Sequence, residues 1–406
     1  MSPLRRIAYL ANSRLPTEKA HGFQITKMCE AFAGLGLEIV LYHPKRQQPP
    51  ALRGRDLFDY YSVPAVFQVQ TLPNVDVVRW ERALPARVYR TLYGVHGWLW
   101  GYFAARQAAR SAADLYYTRD VTIAYWLTRL RLPTVYEAHA VPGGRERRLC
   151  QAVLAAPSLR AAIVLTSLIR ERFLALGAPP AITWVEPSAV DLAAFADLPS
   201  KAEARAKLNV PDDRPIVGYA GRFQMMGMEK GIGGLIQALG ALAAQGKALP
   251  RLLCLGGPMD AVPDYYALAA RLGVPDECLF FMDRVPNVQV PLWLRTFDIA
   301  TLPHPTTPHY AYHVSPLKLF EYMAAELPIL ATDQPSFHDI LRHDVNGWFV
   351  TADDPAAFAA GIATLLDDPA RAARLAAQAH ADVQQYSWRA RAQRILAVAQ
   401  GESIGG

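Results

Sequence analysis

Short β-branched or aromatic runs recur along the chain, each followed by a segment whose apolar residues return with helical period. This alternation predicts parallel sheets flanked by helices. RRIAYLANS near the start reads as a buried strand and HGFQITKMCEAFAGLG as an amphipathic helix, with Ile25, Met28, Cys29, Phe32 and Leu35 on one face. LEIVLYHP supplies the next strand, and TVYEAH, AAIVLTS and ITWVEPS supply later ones. Between Val190 and Pro215 the pattern breaks into a polar, Ala- and Lys-containing helix bounded by Pro199 and Pro211, the best candidate for a domain boundary. Alternation restarts in PIVGYAGRF, RLLCLGG, LFFMDRV, DIATLP and PILATD, and the chain closes with a helix from about Ser387, SWRARAQRILAVAQ. The expected fold class is α/β: two doubly wound domains, 1–195 and 196–385, facing each other across a cleft, with a C-terminal helix, 386–406, packed back on the first. Ligands then belong at the carboxyl ends of strands, where the strand order reverses. No solenoid-period repeat, low-complexity tract or heptad run competes with this reading.

Composition agrees and narrows the function classes. A length of 406 residues suits two domains of about 200, and 52% hydrophobic against 19% charged residues excludes a disordered chain. The net charge of +6 is unevenly placed: residues 1–200 carry 24 Lys+Arg against 15 Asp+Glu, a balance of +9, and residues 201–406 carry 18 against 21, a balance of −3. The first half therefore suits an anionic partner such as a phosphate or a membrane surface, yet is too weakly basic for nucleic acid. Cys29, Cys150, Cys254 and Cys278 show neither disulfide-framework nor zinc spacing, which fits a reducing cytoplasm and no metal site. The apolar run Ile7 to Ala11 is too short for a signal-peptide core. The richest apolar stretch, Val95 to Ala105, is about half a membrane span, so a cytoplasmic protein is expected, free or peripheral at the inner face of the cell membrane.

Four constellations carry candidate chemistry. The loop after the first strand, Asn12 to Gly22, ends in His21-Gly22, where a glycine opening a helix admits a ligand to the backbone or serves close packing. In GYAGRFQMMGMEKGIGG, Arg222 follows the strand-ending Gly218 and Gly221, and Lys230 lies eight residues on. Two cations delivered by a glycine-containing loop suit a diphosphate; the alternative is a pair of solvated surface charges. In HVSPLKLFEYMAAELPILATD, Ser315 is the expected N-cap and Pro316 the first helical residue. Lys318 then opposes the helix dipole, which invites an anion, and Glu321 one turn on suits a sugar diol; the alternative is a plain Lys318–Glu321 pair. In VYEAH, Glu137 and His139 point the same way from a strand end, so His139 serves either a substrate hydroxyl or the fold. The stretch from Arg79 to Arg110 holds six arginines and one acid interleaved with Trp80, Tyr89, Tyr93, Trp98, Trp100 and Tyr102. That mix fits a lipid-headgroup surface or a helix buried by its aromatic face.

Taken in order, these segments resemble glycosyltransferases of the GT-B fold, in particular glycosyltransferase family 4, retaining nucleotide-sugar enzymes built from two Rossmann-like domains. The resemblance runs over nearly the whole chain: NSRLPTEKAHGFQITKMCEAFAGLG, VYEAH, VLTS, VDLAAF, VGYAGRF with KGI downstream, LGGP, FFMDRVP, FDIATLP, SPLKLFEYMAAELPILATD and YSWRARAQRI. It implies that the C-terminal domain binds a nucleoside-diphosphate sugar, UDP before GDP, as co-substrate without a separate cofactor or metal. It implies further that the N-terminal domain binds a glycan or lipid-linked glycan acceptor, as in bacterial cell-surface polysaccharide assembly. Arg222 and Lys230 would hold the diphosphate, Glu321 the ribose, and the backbone of Ser315, Pro316, Leu317 and Lys318 the phosphate and sugar. Gly22 would meet the donor, and His139 would sit by the transferred sugar.

Two departures stand out. The family's Glu-x7-Glu pattern has His313 where its first carboxylate belongs, so His313 or a neighbour such as His309 takes that place, or activity is altered. The Arg222 to Lys230 spacing is longer than usual, with MMGME as an enlarged loop. A non-catalytic nucleotide-sugar-binding subunit is therefore one rival, and a GT-B epimerase or phosphorylase is another, although no carboxylate set for epimerisation is identifiable.

Overall fold

The computed structural model describes residues 4–81, 83–225 and 228–402. Contacts divide the chain into a first unit, Met1–Pro187 with Trp388–Gly406, and a second, Ser188–Ser387. The first is built on β1 (Arg6–Leu10), β2 (Glu38–Pro44), β3 (Gln68–Leu72), β4 (Leu115–Thr118), β5 (Thr134–Ala138), β6 (Leu159–Val164) and β7 (Thr183–Val185). They form one parallel sheet in the order β3-β2-β1-β4-β5-β6-β7. Ile7, Ala8, Tyr9 and Leu10 are at most 1% exposed because helices cover both faces, which is why this strand reads as an unbroken apolar run. The helix Ala20–Ala33 buries Ile25, Met28, Cys29 and Phe32 as expected. Leu35 falls outside it, because the Gly34-Leu35-Gly36 turn, with Gly36 at φ 87°, ends the helix first.

The second unit holds β8 (Ile216–Ala220), the two-residue strands β9 (Gln224–Met225) and β10 (Met228–Glu229), then β11 (Arg251–Leu255), β12 (Leu279–Met282), β13 (Ile299–Leu302), β14 (Ile329–Thr332) and β15 (Trp348–Val350). Its six-stranded sheet is parallel in the order β12-β11-β8-β13-β14-β15, and β9 and β10 make a separate antiparallel hairpin. The polar helix after Pro199, Lys201–Lys207, lies inside this unit rather than at its edge. Ser200 and Glu203 form its capping box, and the buried Arg205 donates to Thr296 O at 2.8 Å and to Asp298 at 2.5 Å. Asp298 also accepts from Ile216 N at 2.7 Å, so the charged helix is fastened to the start of β8.

The helix Trp388–Gln400 belongs to the first unit, burying Trp388, Arg391, Ala392, Ile395, Val398 and Ala399. Arg394 grips Glu186 at 2.9 Å, and Arg389 donates to Gly34 O at 2.8 Å. The Arg-aromatic stretch is divided in its behaviour. The helix Ala86–Ala109 buries Trp100, Gly101, Ala104, Ala105 and Ala108, while Val88, Tyr93, Val95, Leu99 and Tyr102 are exposed, Leu99 by 62%. Among the described residues no helix is long and apolar enough to cross a membrane.

Candidate functional site

In the second sheet the chain runs outward from β8 in one direction through β11 and β12, then returns to β13 and runs the other way. The order reverses between β8 and β13, so the crevice at their carboxyl ends is where the fold itself places a ligand. Arg222 and Lys230 leave β8 there. The β9–β10 hairpin absorbs the long spacing between them: Lys230 N donates to Phe223 O at 2.9 Å, which returns Lys230 to the strand end beside Arg222. Met226 and Gly227 of the intervening MMGME lie outside the described residues. Burial, then the nearby Arg222 and Lys318, push the Lys230 ammonium down to about 8. Three cations from two separate segments therefore converge on one crevice.

Lys318 sits on the helix Leu317–Ala324, and here the structure corrects the capping expectation. Pro316 occupies the N-cap position and makes no side-chain cap. Ser315 instead accepts from Ser188 N at 2.9 Å through its hydroxyl, and its carbonyl accepts from the Ser188 hydroxyl at 2.6 Å. A serine already committed to another loop cannot fold back over the helix, so the first-turn N–H groups carry no side-chain cap. Lys318 pairs with Glu321 at 2.5 Å, both partly exposed, so the alternative expected of these two residues is formed. The same helix is anchored to β8 by Tyr322, whose buried hydroxyl accepts from Ala220 N at 2.7 Å.

The segment after β13 contains no acidic residue from Pro303 to Lys318. His313 ends the short helix Pro308–His313 and is partly exposed. His304, which sequence reasoning passed over, is 4% exposed and packs its ring against Tyr310 and Phe337. Burial, with Lys230 nearby, lowers His304 to about 3, and the same two causes lower His309. Both imidazoles are neutral near pH 7, so the crevice offers neutral donors and acceptors where the family pattern has a carboxylate.

In the first unit the order reverses between β1 and β4. Gly22 lies in the helix following β1, buried, and a Cβ there would collide with the Tyr61 hydroxyl and the Thr17 methyl. Tyr61 itself is fixed to Thr17 by two 2.8 Å bonds. Close packing, the alternative to ligand approach, is thus what requires this glycine. His139 is likewise occupied: Nε2 donates to Glu137 at 2.5 Å, and Nδ1 accepts from Arg119 Nη2 at 2.6 Å. Burial first, then Arg119, lowers it to about 4 against the pull of Glu137. Both ring nitrogens are thus engaged within the unit, which is the fold-serving alternative expected of this residue. Arg119, one residue past β4, was overlooked because YTRD carries no glycine to flag it, and Arg391 because it lies 254 positions from Glu137, which it pairs with at 3.2 Å.

Residues 214–368 match the family model described as glycosyl transferases group 1. A D-inositol 3-phosphate glycosyltransferase from Thermobispora bispora is 29% identical over 67% of this chain, which spans 66% of that relative, just under two thirds of its length. Its counterpart from Stackebrandtia nassauensis is 26% identical over 98% of the chain and 92% of the relative. Among solved structures, Anabaena HepE in complex with UDP matches with a TM-score of 0.72 at 17% identity, covering 97% of this chain and 99% of that one. The two parallel-sheet units are those of the GT-B fold.

Proposed function

We propose that this chain, a group 1 glycosyl transferase of the GT-B fold, moves a hexosyl unit from a nucleoside-diphosphate sugar to an acceptor hydroxyl with retention of configuration. The observation that carries the reading is the convergence of Arg222, Lys230 and Lys318 on the crevice between β8 and β13, where burial first, and then the two neighbouring cations, lowers Lys230 to about 8. Lys318 is paired with Glu321, which leaves Arg222 and the partly buried Lys230 for a polyanion, and a diphosphate supplies two phosphoryl groups suited to a guanidinium fork and an ammonium. UDP is favoured over GDP, in keeping with the UDP complex of HepE. As the sugar–phosphate bond breaks, charge gathers on the departing diphosphate, so cations already aimed there stabilise the transition state more than the ground state. The departing phosphate oxygen takes the acceptor proton on the same face, which retains configuration without a protein base. No resident cofactor or metal enters this scheme.

A panel of UDP- and GDP-sugars tests the reading. A matching nucleotide at about 100 times its dissociation constant should stabilise the chain by roughly 2.7 kcal/mol in a thermal scan, and the matching donor should yield a glycosylated product by mass spectrometry. Stabilisation by UDP with no turnover of any donor, lysate acceptors included, would favour a non-catalytic subunit, the reading that His313 in place of a carboxylate supports. The depressed Lys230 adds a pH signature. A bound diphosphate raises its pKa, so binding draws on a proton that is present below pH 8 and lost above it. UDP affinity should be flat below about pH 7 and fall as pH rises through about 8. Lys230→Met should bind UDP more weakly and lack that fall; an unchanged pH profile in the variant would remove Lys230 from the site.

The acceptor is a glycan or lipid-linked glycan of bacterial cell-surface assembly, with the chain peripheral at the membrane. The exposed Val88, Val95, Leu99 and Tyr102 beside the exposed Arg79, Arg87 and Arg90 support this, being apolar and basic together on one unit. Sedimentation with phosphatidylglycerol vesicles at low salt should weaken about 30-fold in an Arg87→Gln, Arg90→Gln double variant, at about 1 kcal/mol per basic residue. A parent chain left in the supernatant would count against membrane attachment.

A further inference from the structure

The proposed transferase leaves one group of residues in the first unit unused. Glu137 is 3% exposed at the end of β5 and meets Arg391, 2% exposed, on the helix Trp388–Gln400. Arg391 is itself held by Pro187 O at 2.8 Å and Glu186 O at 3.3 Å, so its guanidinium has a fixed address. Glu137 also accepts from Tyr117 and from His139 Nε2. Burial alone would raise its pKa, but Arg391, His139 and Arg119 outweigh burial and hold the carboxyl well below the usual carboxylate range.

The charge count singles out Arg119. Glu137 is matched by Arg391, and His139 is neutral, so the Arg119 guanidinium is left over. It spends one bond on His139 Nδ1 and lies 3.9 Å from Glu137. The neighbouring Asp120 is turned elsewhere: it accepts from Thr122 N, Ile123 N and Asn12 Nδ2 at 2.8 to 3.0 Å and forms no ion pair with Arg119 among the described residues. Among the described residues the guanidinium's hydrogen bond is the one to His139, and the side chain is 16% exposed. It stands at the carboxyl end of β4, beside β1, where the strand order of this sheet reverses. Partly buried, with one nitrogen spent on His139, and placed where doubly wound sheets bind ligands, this guanidinium suits an anion.

We propose that Arg119 receives a phosphoryl group of the acceptor at the switch point between β1 and β4, and that Arg391, acting through Glu137 and His139, is the positioning residue that aims it. This deepens the transferase reading and rests on it. The mechanism is mechanical as well as electrostatic. Arg391 keeps Glu137 ionised, Glu137 takes the Nε2–H of His139, and His139 is thereby left with an Nδ1 lone pair that orients Arg119. The groups acting on the imidazole are Glu137 from β5, Arg119 from the exit of β4, and Arg391; around them Tyr117 from β4 and Tyr9 from β1 act on Glu137, and His21 from the following helix lies near Arg119.

Nitrogen-15 NMR of the histidines in the full chain tests this. The parent His139 should show a protonated Nε2 and bare Nδ1 between about pH 5 and about pH 8, and inorganic phosphate should shift Nδ1 saturably. Arg119→Gln should abolish that response while leaving UDP binding unchanged. Arg391→Met should let His139 protonate at higher pH and weaken phosphate about tenfold, the worth of one charge-assisted bond, and Arg391→Lys should restore both in part. A purely structural arginine would lower stability without moving the titration of His139. Should Arg391→Met fail to fold, Glu137→Gln keeps the shape and removes the same link. An unaltered His139 in that variant, or a parent His139 blind to phosphate, overturns the proposal. A hexose phosphate and a short prenyl phosphate, run as separate arms, distinguish a soluble from a lipid-carried acceptor by which binds more tightly. UDP uptake in the same samples keeps the two readings apart: UDP bound with His139 unresponsive rejects Arg119 alone, and no UDP bound rejects the transferase reading beneath it.

Discussion

Arg222→Ala should lower sugar transfer by about 100-fold or more, the cost seen when one pre-aimed donor to a developing anion is removed. Arg222 is exposed at the exit of β8, and among the described residues only its carbonyl is tied down, accepting from the Tyr219 hydroxyl at 2.8 Å. The truncation should therefore leave the melting temperature nearly unchanged, so lost activity reports chemistry and not unfolding. Charge on the diphosphate is larger in the transition state than in the bound donor, so kcat should fall more than KM rises. Arg222→Lys should recover part of the rate, because a compact ammonium supplies charge without the forked geometry. Transfer by purified Arg222→Ala at the parent rate would remove Arg222 from the donor site.

What the sequence displays and what it hides divide along a physical line. Strands buried on both faces, such as β1 and β8, are unbroken apolar runs, and their helices keep a 3.6-residue apolar period, so the doubly wound architecture was readable. β3 was not, because an edge strand of sequence QVQTL has three of five residues exposed and little apolar pattern to display. Arg222 and Lys230 stood out through the glycines around them. Whether eight residues would keep them together depended on the β9–β10 hairpin, whose only interstrand register is two residue pairs. His304, Arg119 and Arg391 were hidden for a different reason. Each owes its meaning to partners brought by other segments: Lys230 beside His304, His139 beside Arg119, and Glu137 beside Arg391 across 254 positions. Net charge misled in the same way, since +9 lies in the first half while the second, at −3, gathers three cations into one crevice.

That crevice depends on a backbone position no charge reveals, and Gly231→Ala should expose it. Gly231 is the N-cap of the helix Ile232–Ala244, at φ 92° and ψ 10°, immediately after Lys230. An alanine in that left-handed conformation costs about 1–2 kcal/mol. Its methyl would also collide with the carbonyl oxygen of Pro303, at the exit of β13, and such overpacking adds about 1–3 kcal/mol. Because that carbonyl is backbone, relief requires the Lys230 loop and the His304 segment to move apart. The expected result is a loss of about 2–5 kcal/mol in urea unfolding, with UDP affinity reduced further than that loss explains while the chain is still folded. Gly234→Ala is the internal control: on the same helix, with open space around its missing Cβ, it should stabilise by about 0.4–1 kcal/mol and bind UDP as the parent does. Equal UDP affinity in the two variants would mean that the approach of the Lys230 loop to Pro303 does not shape the donor site.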